Sequence, residues 1–249
     1  MRWCVLAAAF TSWPLQAFAR EKGGGTGGGE PVSVVLLLAA LSLLPFVLVM
    51  VTSFVKIAVV LSLLRNAIGT PQIPPTIVLT GLSVILSLYV MAPTGAKVYE
   101  AVRGVAGEEG GKGGLLSAGS ASVLFRAADR AKEPLRDFLL RHSDVRDRGM
   151  FLDLARRMRP AEERAGVRDR DLLVVVPAFV VGQLASAFQI GFLIFLPFLV
   201  LDMVVANVLL ALGMHMLSPT TVSLPFKLLL FVLVDGWRLL TQGLVLSYG

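Results

Sequence analysis

Long apolar stretches, separated by short polar or glycine-rich segments, dominate the chain. The longest covers residues 172–217 and a second covers 224–246. About 20 apolar residues cross a bilayer, so the first stretch must either fold back on itself or extend beyond the hydrocarbon. We therefore predict helical hairpins over residues 172–249, joined by a polar turn at 218–221.

The first half of the chain predicts one further pair of helices. A helix is predicted to begin at Pro31, and its residues 32–51 are long enough to span a bilayer. The apolar pattern continues to Leu64 and stops before Gly69, a natural helix C-cap. A shorter apolar helix over 77–92 ends at Pro93, because proline is poorly tolerated inside a helix. Residues 31–96 are therefore interpreted as an N-terminal helical hairpin.

The N-terminus has the order of segments found in a secretory signal peptide, over residues 1–19. Arg2 precedes a short apolar run, and an Ala-Phe-Ala sequence ends at Ala19. We predict cleavage there, with an unremoved segment or a different start as the alternative. Residues 20–30 are rich in glycine and form a predicted flexible linker.

Composition is typical of a membrane protein with one polar region. Hydrophobic residues make up 55% of the sequence and charged residues 16%. Most of the 23 lysines and arginines and the 17 acidic residues lie within residues 97–171, which we predict to be a charged helical domain. Frequent glycines over 103–122 predict a mobile loop there. Small amphipathic helices are predicted to begin near Ser122 and at Pro134, and to cover 150–158.

Cleavage of the signal peptide would put this charged domain in the periplasm. The mature N-terminus would then lie outside, and a hairpin over residues 31–96 would return the chain to the same side. The domain is rich in arginine, but the positive-inside rule weakens for loops beyond about 60 residues. Charge alone therefore does not decide the topology.

Several kinds of chemistry are disfavoured by the sequence. The nearly balanced charge of residues 97–171 is unlike the basic stripe of a nucleic-acid-binding surface. Cys4 is the only cysteine, and the two histidines, His142 and His215, do not complete a zinc site, so neither a disulfide nor a metal is predicted. We interpret His142 as a surface residue. The sequence contains no nucleotide-binding glycine-rich loop, and no cofactor is expected.

Two patterns resemble parts of intramembrane protease sites. Residues 81–83 (GLS) lie on an apolar helix with His215 far downstream, but Val84 replaces the glycine that usually follows the serine. Asp202 and Asp235 would make an aspartyl dyad, yet neither lies in a protease motif. Each is more readily a partner for a basic residue of the chain: Lys56, Lys227 or Arg238. We therefore predict that the chain is not an enzyme.

Four charged residues interrupt the apolar stretches. A charged side chain at the bilayer centre costs roughly 2.5–3.5 kcal/mol, so each should face protein, water or an opposite charge. Lys56 either extends its ammonium towards the membrane surface or pairs with Asp202 or Asp235, and the sequence leaves these alternatives open. Together with Lys227, these residues are predicted to be buried charges that serve assembly.

Six segments match patterns that are long enough to identify a family. They are 51–57 (VTSFVKI), 61–69 (LSLLRNAIG), 72–75 (QIPP), 189–192 (QIGF), 197–202 (PFLVLD) and 223–237 (SLPFKLLLFVLVDGW). Through them the chain resembles the FliP/SctR family, the R-type export-apparatus proteins of flagellar and injectisome type III secretion systems. The resemblance covers residues 45–100 and 172–248, with a weaker match at 132–138. Residues 86–93 (LSLYVMAP) and 218–219 favour the injectisome branch.

The resemblance implies both a fold and a role. The implied fold is all-α, with membrane-associated helical hairpins that assemble into an oligomeric helical channel and a small helical extramembrane domain. The implied function is that of a core subunit of the export gate in the bacterial inner membrane, where it forms the entry channel for unfolded secreted proteins. The implied partners are further copies of the chain, in a pentamer, the S-type and T-type membrane proteins and the large export-gate protein; nucleic acid is not among them.

The family's methionine-rich constriction loop maps onto Met214, His215 and Met216. Methionine side chains are flexible and polarizable, so a ring of them would close around varied polypeptides; plain core methionines are the alternative. His215 departs from the family's run of methionines, and a ring of histidines facing the lumen would make closure pH-dependent, because histidine changes charge between pH 5 and 8. Gln183 is a second departure, at a position where relatives commonly carry Glu, and it keeps hydrogen bonding without a negative charge.

A second function is compatible with the same residues. A small independent transporter or ion channel would use Asp202 and Asp235 to bind a coupling ion. Partner dependence separates the two hypotheses, because a transporter should be stable and active alone, whereas an export-gate subunit requires its complex.

Overall fold

The computed structural model describes most of the chain: residues 30–70, 73–108 and 118–249. The predicted signal peptide, residues 20–29 of the predicted linker and residues 109–117 of the predicted glycine-rich loop lie outside these ranges. The chain forms two units, residues 1–39 and 40–249, and the contacts described below belong to the second.

The regular structure of the described ranges is helical throughout. The helices are α1 (Glu30–Met50), α2 (Phe54–Ile68), α3 (Thr76–Glu108), α4 (Ala118–Arg141), α5 (Val145–Arg157), α6 (Leu172–Ala211), α7 (Pro219–Leu233) and α8 (Gly236–Leu246), with a short 3-10 helix at Arg164–Gly166. The predicted all-α class is confirmed. The predicted domain boundaries stay predictions.

Helix α2 carries a large share of the core. Its buried residues recur at helical spacing from Val55 to Ile68, so one face is covered along most of its length. Ile57 is fully buried in a cluster with Ala187 of α6 and Leu244 of α8. Burying a large aliphatic side chain contributes roughly 1.5–3 kcal/mol, so this face holds helices from both halves of the chain together.

A second cluster joins the charged region to the long apolar helix α6. Phe138 and Leu139 on α4 are buried. They pack against Val175 and Phe179 on α6, and the rings of Phe138 and Phe179 have centroids 5.8 Å apart. The apolar stripe predicted for this part of α4 is therefore confirmed, and it docks on α6.

The apolar pattern predicted to run unbroken over residues 32–64 forms two helices instead. A turn at residues 51–53 separates α1 from α2. Within it Ser53 is fully buried, and its hydroxyl donates to Oγ of Ser87 on α3 at 3.1 Å. This polar contact fixes the break against the neighbouring helix. At the other end of α2, Gly69 has a φ of 88° and caps the helix as predicted.

Two of the prolines that lie inside helices, Pro93 and Pro134, were predicted from the sequence to lie at helix ends. Helix α3 passes through Pro93 and continues to Glu108, and α4 passes through Pro134 instead of beginning there. A proline in a helix interior removes one backbone hydrogen bond, at a cost of about 3 kcal/mol. Helices α3 and α4 pack against each other, and these tertiary contacts offset the cost of the prolines. Helix propensity alone does not include that contribution.

Helix α6 shows how the longest apolar stretch is accommodated. Its 40 residues pass through Pro177 and Pro197 as one helix. At 1.5 Å per residue it is about 60 Å long, twice the hydrocarbon thickness of about 30 Å. Of the two alternatives, folding back is excluded, because the stretch forms one continuous helix that is longer than the hydrocarbon is thick.

The last two helices are separated by a sharp bend. Helix α7 begins at Pro219, so the preceding turn covers residues 212–218 and not the predicted 218–221. Asp235, in the left-handed conformation with φ 51°, separates α7 from α8, and the two helices meet at 61°. Among the described residues, α3 (over 76–104) and α6 are long and apolar enough to cross a membrane, and α7 with α8 would make one broken span.

Candidate functional site

A buried ion pair joins α6 to α7. Nζ of Lys227 lies 2.6 Å from Oδ2 of Asp202; the lysine side chain is 4% exposed and the carboxylate side chain 22%. The sequence left Lys56, Lys227 and Arg238 open as partners of the two aspartates. The structure pairs Asp202 with Lys227.

Two further hydrogen bonds complete this ion-pair site. The hydroxyl of Ser223, one turn before Lys227, donates to Oδ1 of Asp202. Nζ of Lys227 also donates to the backbone carbonyl of Ala67 at 3.3 Å. Ala67 lies in the last turn of α2, where carbonyls lack helical partners, so Lys227 satisfies one of them. The site therefore fixes three helices, α2, α6 and α7, relative to one another.

The ion-pair site contributes more to alignment than to net stability. Charges removed from water lose hydration, and their attraction offsets that loss only with good geometry and additional hydrogen bonds. Here the ammonium has two acceptors, and each carboxylate oxygen has a donor. Any sliding of α6 against α7 would separate the pair and leave a charge without its partner.

Lys56 is buried at a different place and meets uncharged groups. Its ammonium donates to Oγ of Ser247 at 2.9 Å and lies 4.8 Å from the centroid of the Tyr248 ring, a cation–π geometry. At 5% exposure it does not extend to the surface. Within this chain, neither Asp202 nor Asp235 is its partner.

Gln183 on α6 connects the end of the chain to α4. Its Nε2 donates to the backbone carbonyl of His142 at 2.8 Å, and its Oε1 accepts from the hydroxyl of Tyr248 at 2.6 Å. Burial raises the pKa of Tyr248, so this hydroxyl stays a donor. A glutamine satisfies both neighbours because it carries a donor and an acceptor, whereas a carboxylate would offer acceptors only.

His142 is half-buried, and its interpretation as a surface residue is wrong. Its ring centroid lies 4.6 Å from that of Phe138 and 5.1 Å from that of Tyr248. Burial, followed by the positive charges of Lys56 and Arg141, lowers the pKa of His142 below the ordinary histidine value. The imidazole therefore favours its neutral form in this packing.

We call the group formed by Lys56, His142, Gln183, Ser247 and Tyr248 the tail site. Sequence reasoning singled out Lys56 and Gln183 separately and did not connect them. The other members come from distant parts of the chain, and a terminal serine and tyrosine carry no pattern that marks them as partners of a buried lysine. The glutamine at position 183 was the signal that could have drawn attention to this site.

The predicted constriction residues lie in the turn between α6 and α7. Met214 is 43% exposed and Met216 is 97% exposed, and His215 is also exposed. Gly213, with φ 74°, turns the chain directly after α6. Neither methionine belongs to the core of the single chain, so the core alternative does not hold there.

Asp235 is set apart from the buried charges. Its side chain is 65% exposed at the bend between α7 and α8, and it approaches Arg238 at 3.9 Å. Its predicted burial is not found within the single chain. Because Asp202 is paired with Lys227 on the neighbouring helix, the two aspartates do not form a dyad.

Ser83, the residue considered as a nucleophile, is directed into its own helix. It is fully buried, and its hydroxyl donates to the backbone carbonyl of Leu79 at 2.7 Å. His215 lies in the exposed turn after α6, and no hydrogen bond joins it to Ser83. The pair therefore lacks the contact that a serine nucleophile needs with its base.

Comparison with known proteins identifies the family. Residues 37–244 match the model described as the FliP family. Yop proteins translocation protein R of Yersinia pestis is 46% identical over 220 residues, which cover 88% of this chain and 97% of that protein. The hypersensitivity response secretion protein HrcR of Ralstonia nicotianae is 42% identical over 219 residues, 88% of this chain and 98% of that protein.

A flagellar protein is also similar to this chain. The flagellar biosynthetic protein FliP of Pectobacterium carotovorum is 44% identical over 226 residues, which cover 90% of this chain and 81% of that protein. The family match extends from α1 to α8 and includes the ion-pair site, whereas Ser247 and Tyr248 of the tail site lie beyond its end. The family predicted from the sequence segments is confirmed, and the chain belongs to the FliP family.

Proposed function

We propose that this chain is a core subunit of the type III export gate, in the injectisome branch. The observation that carries the proposal is the match of residues 37–244 to a family whose compared members are named for translocation, secretion and flagellar biosynthesis. In this proposal the chain forms and narrows a passage for unfolded secreted proteins and performs no catalysis. Location in the inner membrane, with residues 97–171 in the periplasm, belongs to the same proposal.

The exposed apolar surface of α6 supports a chain that works inside an assembly. Phe188, Phe192, Val200 and Met203 are each more than half exposed on this helix. Contiguous apolar surface beyond a few hundred Å² is rare on soluble monomers and marks contact with protein or lipid. We propose that further copies of the chain, in a pentamer, cover part of it, and that the S-type, T-type and large export-gate proteins complete the complex.

The constriction is proposed to form from the turns of several copies brought together. Met214, His215 and Met216 protrude from the turn, and flexible thioether side chains suit a seal that must also admit varied polypeptides. The ion pair between Asp202 and Lys227 aligns the two helices that carry the turn. In this proposal the side chains of the turn are free to adapt, whereas the ion pair fixes the two helices on either side of the turn.

The competing function is an independent transporter that uses Asp202 and Asp235 as ion ligands. Asp202 is already neutralised by Lys227, and Asp235 lies exposed at the bend. Two carboxylates that share no site do not form an ion-binding pair. No observation therefore favours this function over the export gate.

Native mass spectrometry tests the proposed function directly. The full chain is purified in detergent, alone and after co-expression with its S-type and T-type partners. We expect a discrete oligomer that captures the smaller partners. A stable monomer or dimer that ignores them would overturn the proposal and favour ion-flux assays on Asp202.

The constriction is tested by leak measurements on the assembled complex. Replacing Met214 and Met216 together by Ala should raise ion leak through the inner membrane while leaving assembly intact. Met158→Ala, at an exposed methionine directly after α5, is the matched control and should not raise leak. Equal leak in both variants would show that the methionines of the turn do not form the seal.

A further inference from the structure

The end of the chain is held by side chains from helices far away in sequence. Ser247 accepts from Lys56 on α2, and the Tyr248 hydroxyl donates to Gln183 on α6. The Tyr248 ring also lies edge-on to the imidazole of His142, which follows α4. Docking of the tail therefore depends on the packing of these few groups.

The ring of Tyr248 contacts two basic side chains in this site, those of Lys56 and His142. The Lys56 ammonium lies 4.8 Å from the Tyr248 centroid, and the His142 centroid lies 5.1 Å from it. Tyr248 is half-buried, so water screens the charges beside its ring less than it would at the open surface. A single cation is stabilised by the ring face, but a second one beside the same ring repels the first.

The charged groups around His142 do not supply a buried counter-charge. Two cavities, of about 120 Å³ and about 410 Å³, flank the imidazole. The ionisable side chains that line them with His142 are Lys97 from α3, Asp137 and Arg141 from α4, and Asp144 and Asp147 from the start of α5. Asp137 and Asp144 are exposed and Asp147 is partly exposed, so water screens all three, whereas Lys56 is buried.

We propose that protonation of His142 releases the C-terminal tail, so that the tail site is a pH-sensitive latch. The neutral imidazole packs against the rings of both Phe138 and Tyr248 with the tail attached. The imidazolium adds a second cation beside the ring that already holds Lys56, and detachment of Tyr248 exposes both cations to water. The chain then exchanges an attached tail for a free one as pH falls.

Proton linkage gives the direction of the change. Burial, Lys56 and Arg141 lower the pKa of His142 when the tail is attached, so the detached state binds the proton more tightly. Attachment is therefore fully favoured above the ordinary histidine pKa of about 6.5, and it weakens as pH falls from there towards the lowered value. Leu244, in the last turn of α8, is buried in the core with Ile57, so detachment is confined to the residues that follow α8.

Distance measurements between two spin labels test the latch on the full-length chain in detergent. Labels are attached at Cys in place of Gly249 and Arg130, both exposed, in a Cys4→Ser background. At pH 7.5 we expect one narrow distance distribution. At pH 5.0 a longer and broader component should rise roughly threefold or more. An identical distribution at both pH values would overturn the proposal.

Substitutions assign the response to one imidazole. His142→Gln cannot take up the proton, and its distribution should stay narrow at both pH values. His215→Gln, at the other histidine of the chain, is the matched control and should respond like the parent. An acid response in His142→Gln equal to that of the parent would also overturn the proposal.

A third variant tests the proposal independently if the tail does not pack against Gln in His142→Gln. Lys56→Met removes the first cation, so protonated His142 would be the one positive charge beside Tyr248. In Lys56→Met, the longer-distance component at pH 5.0 should then be at least about twofold smaller than in the parent. A full response in Lys56→Met would show that charge repulsion at Tyr248 does not drive release.

Discussion

Leu63 occupies the space that a side chain on Gly191 would need. A Cβ on Gly191 would lie 2.2 Å from Cδ1 of Leu63 and 3.1 Å from its Cβ. Carbon atoms in contact are about 3.5–4.0 Å apart, so α2 and α6 approach this closely because residue 191 has no side chain. The glycine is a packing residue and not a point of flexibility.

Gly191→Ala should therefore destabilise the chain by about 1–3 kcal/mol, since Leu63 or the whole of α6 must move. The free energy of unfolding is measured by denaturant titration in detergent. Gly81→Ala on α3 is the control, because nothing lies within 4 Å of its position, and helix propensity should make it stabilising by up to about 1 kcal/mol. Equal effects of the two substitutions would contradict the close approach.

The ion-pair site predicts unequal effects of its two partners. Asp202→Asn leaves the almost fully buried Lys227 charged without a carboxylate, and it should lower the free energy of unfolding by about 3 kcal/mol. Lys227→Met should cost less, because Asp202 is partly exposed and keeps the hydrogen bond from Ser223. The double variant should recover at least about 1 kcal/mol of the summed loss, which a double-mutant cycle measures.

Asp235→Asn is the matched control for that cycle. Its carboxylate is exposed and 3.9 Å from Arg238, so its removal should change stability by less than about 0.5 kcal/mol. Strict additivity of Asp202→Asn and Lys227→Met would be incompatible with a working ion pair.

Gln183→Leu should detach the tail at every pH. The substitution leaves the buried Tyr248 hydroxyl and the His142 carbonyl without their partner, at a cost of about 1–3 kcal/mol. Gln189→Leu, at an exposed position two turns further along α6, should be nearly neutral. Protease sensitivity of the C-terminal peptide at pH 7.5 reports the difference, and intact protection in Gln183→Leu would refute the role given to Gln183.

His215→Met should abolish any pH dependence of ion leak through the assembled gate. If His215 faces the lumen, the substitution replaces a ring of ionisable side chains by a ring of side chains that carry no charge at any pH. Leak is measured between pH 5.5 and 8 in cells or vesicles that contain the complex. His142→Gln shows whether the other histidine contributes to the pH dependence of leak. A pH dependence of leak that His215→Met does not change would exclude the turn as the origin of that dependence.

The sequence predicted the residues of the ion-pair site but not their pairing, and the location of a turn explains why. Asp202 lies thirteen residues before His215 and Lys227 twelve residues after it, so a turn centred there puts them at the same height on α6 and α7. A turn at the predicted 218–221 would have put Asp202 opposite residue 237 instead. Register in a hairpin is thus decided by a few turn residues.

Local signals were reliable where local chemistry decides the outcome. Gly69 ends α2 because a left-handed residue was required there, and Phe138 and Leu139 were buried as their spacing predicted. Pro93 did not end α3, because packing against α4 outweighs the lost hydrogen bond. The tail site was beyond sequence reasoning, since it depends on which distant helices come together.

The length of α6 gives the two polar sites a mechanical relationship. Gln183 and Asp202 lie on the same helix, about 28 Å apart along its axis. A continuous helix transmits axial displacement almost undiminished, and Pro197, between the two residues, is where it bends most easily. Bending at Pro197 would take place close to Asp202. A displacement that begins at the chain's end would therefore change the angle of the last part of α6, and with it the position of the turn that carries Met214.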